Sequence, residues 1–379
     1  MPTAPSSIGK ERPMTANIHT SAIAFELPGG VYNATPARIV FGAGSRNRIA
    51  EEVKRLGCSR AVVLSTPGRS AMAGETASNL GEYCVGILPE AVSQVPIELA
   101  RQGRKKVSEM GADCLVCIGG GASVGLGKGI SLELALPIID IPTTYSGSEM
   151  TGFCGITIDG VKRMHTSLNM LASTVIYDAE LTTGLPVRVS AASAMNALAH
   201  CVDAIYLRTA SPVIKWAAVE GAQAVVEGLR RVLQAPADIG ARSQLLYGAY
   251  MAGAALTGGF ALQHGLAHTL GGSYGIEHGL SHALVLPHVA AFNSRYAPEL
   301  GRIREALGTE NLGGTIFDLL VETGLPTSLK EVGFKENELD RAAAITMETD
   351  NGLNPAPVTE QVARGILEDV YHGRRPDEA

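Results

Sequence analysis

Asp113-Cys114-Leu115-Val116-Cys117-Ile118-Gly119-Gly120-Gly121-Ala122-Ser123 decides the fold. Five apolar residues in a row read as a buried strand, three glycines end it, and Val124 to Leu134 resumes as a helix carrying Lys128. A strand, a glycine turn and a helix N-terminus suit a pyrophosphate. Glycine lets backbone N–H groups approach the anion, and the helix dipole adds a favourable potential. Every α/β fold contains glycine turns, but three glycines followed by Ser123 and Lys128 favour the phosphate reading. The spacing is not G-x-G-x-x-G, and Gly42 and Gly44 read as a plain turn.

Outward from this turn the first half alternates short apolar runs with helical patterns. Ala37–Gly44, Arg60–Gly68 and Cys84–Glu90 read as three strands before it, and Leu136–Glu149 holds a fifth. Arg46–Leu56 and Ile97–Met110 read as helices. Buried strands separated by helices predict a parallel sheet with helices on both faces. From about Pro186 the β-branched runs fade and Ala/Leu-rich helical periodicity takes over. Pro186, Pro212, Pro236, Pro287 and Pro326 are expected at helix boundaries. The organisation is therefore a disordered lead-in over 1–20, an α/β dinucleotide-binding domain over 21–186, and a helical catalytic domain over 187–379, ending in a solvated tail.

In open α/β sheets ligands bind beyond the carboxyl ends of the strands. The cofactor-binding candidates there are Thr66 and Gly68 after the second strand; Gly119, Gly120, Gly121, Ala122, Ser123 and Lys128 after the fourth; and Thr143, Thr144, Tyr145 and Ser148 after the fifth. Thr66, with Arg69 beyond it, stands where an NAD-selective enzyme usually has an acid, so NADH and NADPH both remain possible.

The second half carries the chemistry. Five of nine histidines fall between His264 and His288. His264 and His268 are spaced i, i+4 and share a helix face, as do Asn196 and His200 in Ala191–Tyr206. Two helices presenting such pairs suit either a divalent ion or proton donors near neutral pH. His278 joins this group, His288 reads as structural, and His282 fits either role.

Composition removes several classes. With 31 basic against 37 acidic residues the net charge is −6, and no basic cluster supports nucleic-acid binding. Hydrophobic residues at 46% disfavour disorder, yet no stretch of about 20 strongly apolar residues spans a membrane. Six scattered cysteines and an N-terminus without an apolar core predict free thiols in a reducing cytoplasm. Cys114 and Cys117 form a C-x-x-C without a second pair, so they read as buried strand cysteines rather than a zinc site.

Together, Gly119–Lys128, Pro142–Thr151, Met195–His200 and His264–Gly279 resemble the iron-containing, group III alcohol dehydrogenases, and within them the maleylacetate reductases. The resemblance runs from about residue 23 to 370. It implies a dehydroquinate synthase-like fold, an α/β nucleotide-binding domain plus an all-α domain with the active site between them, and a cytoplasmic homodimer. Metal-dependent members carry aspartate where this chain has Asn196, with His200, His264 and His278 as the other ligands. An amide is a weak, uncharged ligand, so no bound metal is expected. Ala122 and Gly125 stand where most members have Ser and Asp, and Thr143–Glu149 is shorter than the usual loop.

The implied reaction is NADH- or NADPH-dependent reduction of the C=C bond of maleylacetate to 3-oxoadipate, a step in the breakdown of aromatic compounds. The expected catalytic set is His200, His264, His268, His278 and Asn196. His264, with His200 and His278, would stabilise an enolate, and His268 would deliver a proton. Lys162 and Arg163 are the candidate carboxylate partners. The alternatives are a metal-dependent alcohol or lactaldehyde-type dehydrogenase, a relative acting on a phosphorylated substrate, and a silent cofactor-binding module.

Overall fold

A computed structural model of the chain describes residues 37–159 and 161–377. The expected lead-in over 1–20 lies outside the described residues. The first half builds β1 (Arg38–Phe41), α1 (Ile49–Arg55), β2 (Ala61–Leu64), α2 (Ser70–Leu80), β3 (Cys84–Leu88), α3 (Ile97–Glu109), β4 (Cys114–Gly119), α4 (Gly121–Leu134) and β5 (Ile138–Pro142). An antiparallel hairpin follows, β6 (Phe153–Ile158) with β7 (Val161–Thr166), and then β8 (Thr174–Tyr177).

Six strands form one sheet in the order β1-β8-β5-β4-β2-β3, every neighbouring pair parallel. Side chains alternate between its faces with period two. Val62, Leu64, Leu115, Cys117, Ile138, Val175 and Tyr177 join the core shared with α4 and the helical half. Ala61, Val63, Cys114, Val116, Ile118, Ile139 and Ile176 pack against α1 and α2. Cys114 and Cys117, an odd number of residues apart, thus face opposite sides of β4 and cannot share a bond or an ion. All six cysteines are free.

Helices make up the rest: α5 (Val187–Ile205), α6 (Pro212–Gln234), α7 (Ile239–Leu256), α8 (Leu262–Tyr274), α9 (His278–Ser294), α10 (Leu300–Leu307), α11 (Leu312–Glu322), α12 (Leu339–Glu348) and α13 (Glu360–His372). Both layers belong to one compact unit. No described helix is long and apolar enough to cross a membrane. Pro186 and Pro212 do stand at helix starts. Pro287 corrects the boundary reading, because it lies inside α9. It removes one backbone N–H, but every residue from Leu280 to Ala291 is buried, and that packing carries the helix through. The exposed tail is also anchored: Arg375 forms two hydrogen bonds to Asp318, at 2.8 and 2.9 Å.

Candidate active site

The sheet register brings the predicted loops together. Gly119 at the end of β4 pairs with Pro142 at the end of β5, and the Thr143 amide donates to the Gly119 carbonyl at 2.9 Å. Leu64, which leads into Thr66 and Gly68, pairs with Cys117 on the other side of β4. Three cofactor-facing turns therefore share one edge. A Cβ at Gly120 would lie 3.0 Å from the Thr144 side chain, whereas one at Gly121 would meet nothing within 4 Å. The helix start is thus open at Gly121 and closely walled at Gly120, a shape that suits a dinucleotide pyrophosphate. Ser123 lies under it, fully buried, with its Oγ unpartnered.

Two residues from the predicted cofactor set turn inward instead. Lys128 is fully buried, and its ammonium donates to the Ser148 carbonyl at 2.6 Å, Thr151 Oγ1 at 2.9 Å and the Phe153 carbonyl at 3.0 Å. It ties the loop after β5 to the hairpin, and burial lowers its pKa from the usual lysine range. Tyr145 is also fully buried, its hydroxyl accepting from the equally buried Arg242 at 3.0 Å.

The same loop reaches the helical half. Gly147 adopts φ +73°, and a Cβ there would lie 2.9 Å from the Gly253 backbone on α7. Any side chain would be both strained and obstructed. This close approach brings the Ser146 carbonyl to α5, where His200 Nε2 donates to it at 2.9 Å and Asn196 Nδ2 at 3.4 Å.

Five histidine rings gather where α5, α8 and α9 meet. His200 Nδ1 lies 2.9 Å from His264 Nε2, and His264 Nδ1 lies 2.6 Å from Asp203 Oδ2. Counting protons along this row fixes each ring. A carbonyl only accepts, so His200 carries its proton on Nε2 and accepts at Nδ1. His264 must then donate from Nε2. Its other nitrogen faces a carboxylate that already accepts from the Tyr206 hydroxyl and from the amides of Ala261 and His264. Asp203 thus gathers the Tyr206 hydroxyl, two amides and His264 Nδ1, and both ring nitrogens of His264 are engaged, one by His200 and one by Asp203.

The neighbouring rings are neutral. Burial first, then the His264 charge, pushes the pKa values of His200, His268 and His282 well below the usual histidine range. His278 is lowered by burial, then by Lys162 and His264. His268 is partly exposed and lies 5.7 Å from His264 and 5.9 Å from His278 between ring centres. His288 sits apart against Phe317. The surface cavities lined by Ser273 and Arg341, and by His288 and Arg295, include none of the five clustered rings.

Lys162 and Arg163 are successive on β7 and point to opposite faces of the hairpin. Lys162 is the one whose charge acts on His268 and His278. Its stem crosses Gly155 on β6, where a Cβ would fall 2.1 Å from Lys162 Cε.

Sequence reasoning missed Asp203 and Gln263 and left the role of His282 open. Asp203 follows His200 by three residues and is the lone acid in an apolar helix, and His282 repeats the i, i+4 spacing from His278. Both signals were legible. Gln263 carries no such signal.

The grouping fits an ion poorly at the expected ligands. Both nitrogens of His200 and both of His264 are committed to hydrogen bonds, and Asn196 offers an uncharged amide. Among the described residues, His268, His278 and His282 have ring nitrogens within 4.8 Å of one another.

Comparison with known proteins follows the same outline. Residues 36–179 match the family profile described as "Iron-containing alcohol dehydrogenase", and residues 190–371 the profile "Fe-containing alcohol dehydrogenase family, C-terminal". The maleylacetate reductase of Burkholderia cepacia is 44% identical, covering 91% of this chain and 99% of that protein. A putative alcohol dehydrogenase from Ralstonia eutropha JMP134 has a solved structure matching with a TM-score of 0.89 at 45% identity, covering 92% of this chain and all of that one. The maleylacetate reductase of Agrobacterium tumefaciens matches with a TM-score of 0.88 at 42% identity and the same coverage.

Proposed function

This chain belongs to the iron-containing alcohol dehydrogenase family, and from that premise we propose that it reduces the C=C bond of maleylacetate to 3-oxoadipate with NADH or NADPH. The observation that carries the reading is the Asp203–His264 pair, in which a carboxylate 2.6 Å from Nδ1 supports a histidine that can carry positive charge toward the substrate. A C=C bond conjugated to a ketone is already activated. What its reduction requires of the protein is a partner for negative charge developing on the ketone oxygen. A simple alcohol, by contrast, must first lose a proton of high pKa, and a metal helps most there.

The residues of this chain divide the work. Gly119, Gly120, Gly121, Ala122, Ser123, Thr143 and Thr144 would hold the dinucleotide, with Thr66 and Gly68 at its ribose end. Lys128, Tyr145 and Ser148 brace the loop that carries Thr143 and Thr144. Reduced nicotinamide supplies the hydride. His264 acts on the enolate oxygen through its field rather than by a direct hydrogen bond, since His200 and Asp203 engage both its nitrogens, and His200, with Asn196 beside it, ties that row to the Ser146 carbonyl. His268 delivers the proton to carbon, and the exposed His278 connects it to solvent. Lys162 neutralises a substrate carboxylate, with Arg163 on the outer face of the hairpin. No step runs through a metal ion.

The division between cofactor-binding and catalytic halves falls at residues 186 and 187, and the working form is a cytoplasmic homodimer. Six free cysteines suit that compartment. The test is oxidation of NADH and NADPH by the purified protein with maleylacetate, with the product identified. Formation of 3-oxoadipate supports the reading, and no oxidation of either cofactor contradicts it.

A further inference from the structure

Asn293 is a fully buried amide near the end of the apolar helix α9. Burying an amide is unfavourable unless its hydrogen bonds are made. Here both hydrogens and the oxygen are engaged. Asn293 Nδ2 donates to the Tyr206 hydroxyl at 3.1 Å and to Asn354 Oδ1 at 2.9 Å. Asn293 Oδ1 accepts from Asn354 Nδ2 at 3.0 Å, and Asn354 Nδ2 also donates to the Ala356 carbonyl at 3.0 Å. The Tyr206 hydroxyl, at the end of α5, donates to Asp203 Oδ1.

These contacts run in one direction. The Ala356 carbonyl only accepts, so Asn354 keeps its NH₂ group toward it and its own oxygen toward Asn293. Asn293 must answer that oxygen with its NH₂ group, whose second hydrogen then points at Tyr206. A hydroxyl has one proton. With Asn293 donating to its oxygen, Tyr206 spends that proton on Asp203.

The two oxygens of Asp203 are thereby divided. Oδ1 takes the Tyr206 hydroxyl, while Oδ2 takes the amides of Ala261 and His264 and lies 2.6 Å from His264 Nδ1. A carboxylate held at both oxygens does not swing, and the His264 ring is held with it.

We infer that Asn293 is a positioning residue for the reduction: oriented by Asn354, its amide aims the Tyr206 hydroxyl at Asp203 Oδ1, which keeps Oδ2 on His264. Asn293 acts through Tyr206 and Asp203, not on the substrate itself. The inference rests on the reduction reading for its effect on turnover, whereas the direction of the hydrogen bonds depends on no substrate.

The experiment has two arms on the full-length protein. In the first, tyrosine labelled with ¹³C at Cζ is followed by NMR, with Tyr206→Phe assigning the Tyr206 signal. Asn293→Leu removes the donor. Asn293→Asp puts an acceptor of the same shape in its place and draws the hydroxyl proton away from Asp203. Both are expected to move the Tyr206 signal, and a signal that stays in place in either variant overturns the inference. In the second arm, Tyr206→Phe and Asn293→Asp each lower kcat on maleylacetate roughly 10-fold, the order of one hydrogen bond to a charged group, with KM and NADH affinity unchanged. Asn354→Ala, which leaves the Asn293 amide free to turn, lowers kcat by less. Adding Asn293→Asp to Tyr206→Phe costs little more, because the hydroxyl through which Asn293 acts is already gone. Equal losses in both backgrounds, or wild-type turnover in Asn293→Asp, overturn the inference. Failure of the wild type to reduce maleylacetate sinks the reduction reading instead and leaves the first arm decisive.

Discussion

His264 Nδ1 stands 2.6 Å from Asp203 Oδ2, a contact that joins α5 to α8 at the centre of the site. Asp203 lies one turn beyond His200 on α5 and also accepts the amides of Ala261 and His264 at the start of α8. One carboxylate therefore positions both the helix start and the ring.

Asp203→Asn keeps the shape and removes the negative charge. His264 then loses the carboxylate that orients it and supports positive charge on it beside the enolate. We expect kcat on maleylacetate to fall on the order of 10²-fold, with the NADH dissociation constant changed little. Stopped-flow binding and steady-state kinetics on the same preparation measure both.

His264→Ala removes the ring itself. Turnover should fall by roughly 10²- to 10³-fold, the scale of losing one stabiliser of an oxyanion. NADH affinity should stay near the wild-type value, because no cofactor-facing turn contains this residue. A parallel loss of NADH binding would mean that His264 has been misplaced.

Gly155→Ala tests the path of Lys162. The added methyl would occupy the space of the Lys162 stem, displacing its ammonium from His268 and His278. The expected result is a KM for the dicarboxylate raised about tenfold, equivalent to about 1.4 kcal/mol, with a smaller change in kcat. Lys162→Met should raise KM similarly, and combining the two should add little.

Asp140 supplies a pH signature. It lies fully buried on β5 with neither oxygen hydrogen-bonded to another side chain by ordinary N–H or O–H donors, and burial raises its carboxyl pKa to about 7. The folded state then binds more protons than the unfolded chain between the usual carboxyl range and pH 7, so this group's contribution to stability falls as pH rises through that window. Asp140→Asn removes the effect. Its melting temperature relative to wild type should increase from pH 5 to pH 8, and a constant difference would contradict the assignment.

Much of this was legible in the sequence because strands and glycine turns are local features. The Cys114–Gly119 strand, the three glycines and the helix they start lie where periodicity and turn chemistry put them. The β6–β7 hairpin was harder: Gly155 and the polar β7 break the apolar alternation that marks a buried strand. β8 is only four residues long, and its partners β1 and β5 are distant in sequence. Lys128 misled for a different reason. A lysine one turn beyond a glycine loop reads as a phosphate ligand, and only the fold shows the Ser148–Phe153 segment taking its protons. Tyr145 likewise reads as part of a polar loop until buried Arg242, 97 residues away, claims its hydroxyl. Spacing could pair His264 with His268, but the His200–His264–Asp203 row joins two helices and exists only after packing.

The proposed reduction runs on the His200–His264–Asp203 row and needs no metal ion. The most direct measurement is NADH-dependent turnover of maleylacetate before and after exhaustive chelation, with metal content determined on the same sample. The same kcat after chelation and less than stoichiometric metal throughout are expected. Activity abolished by chelation and restored by iron or zinc would contradict that expectation.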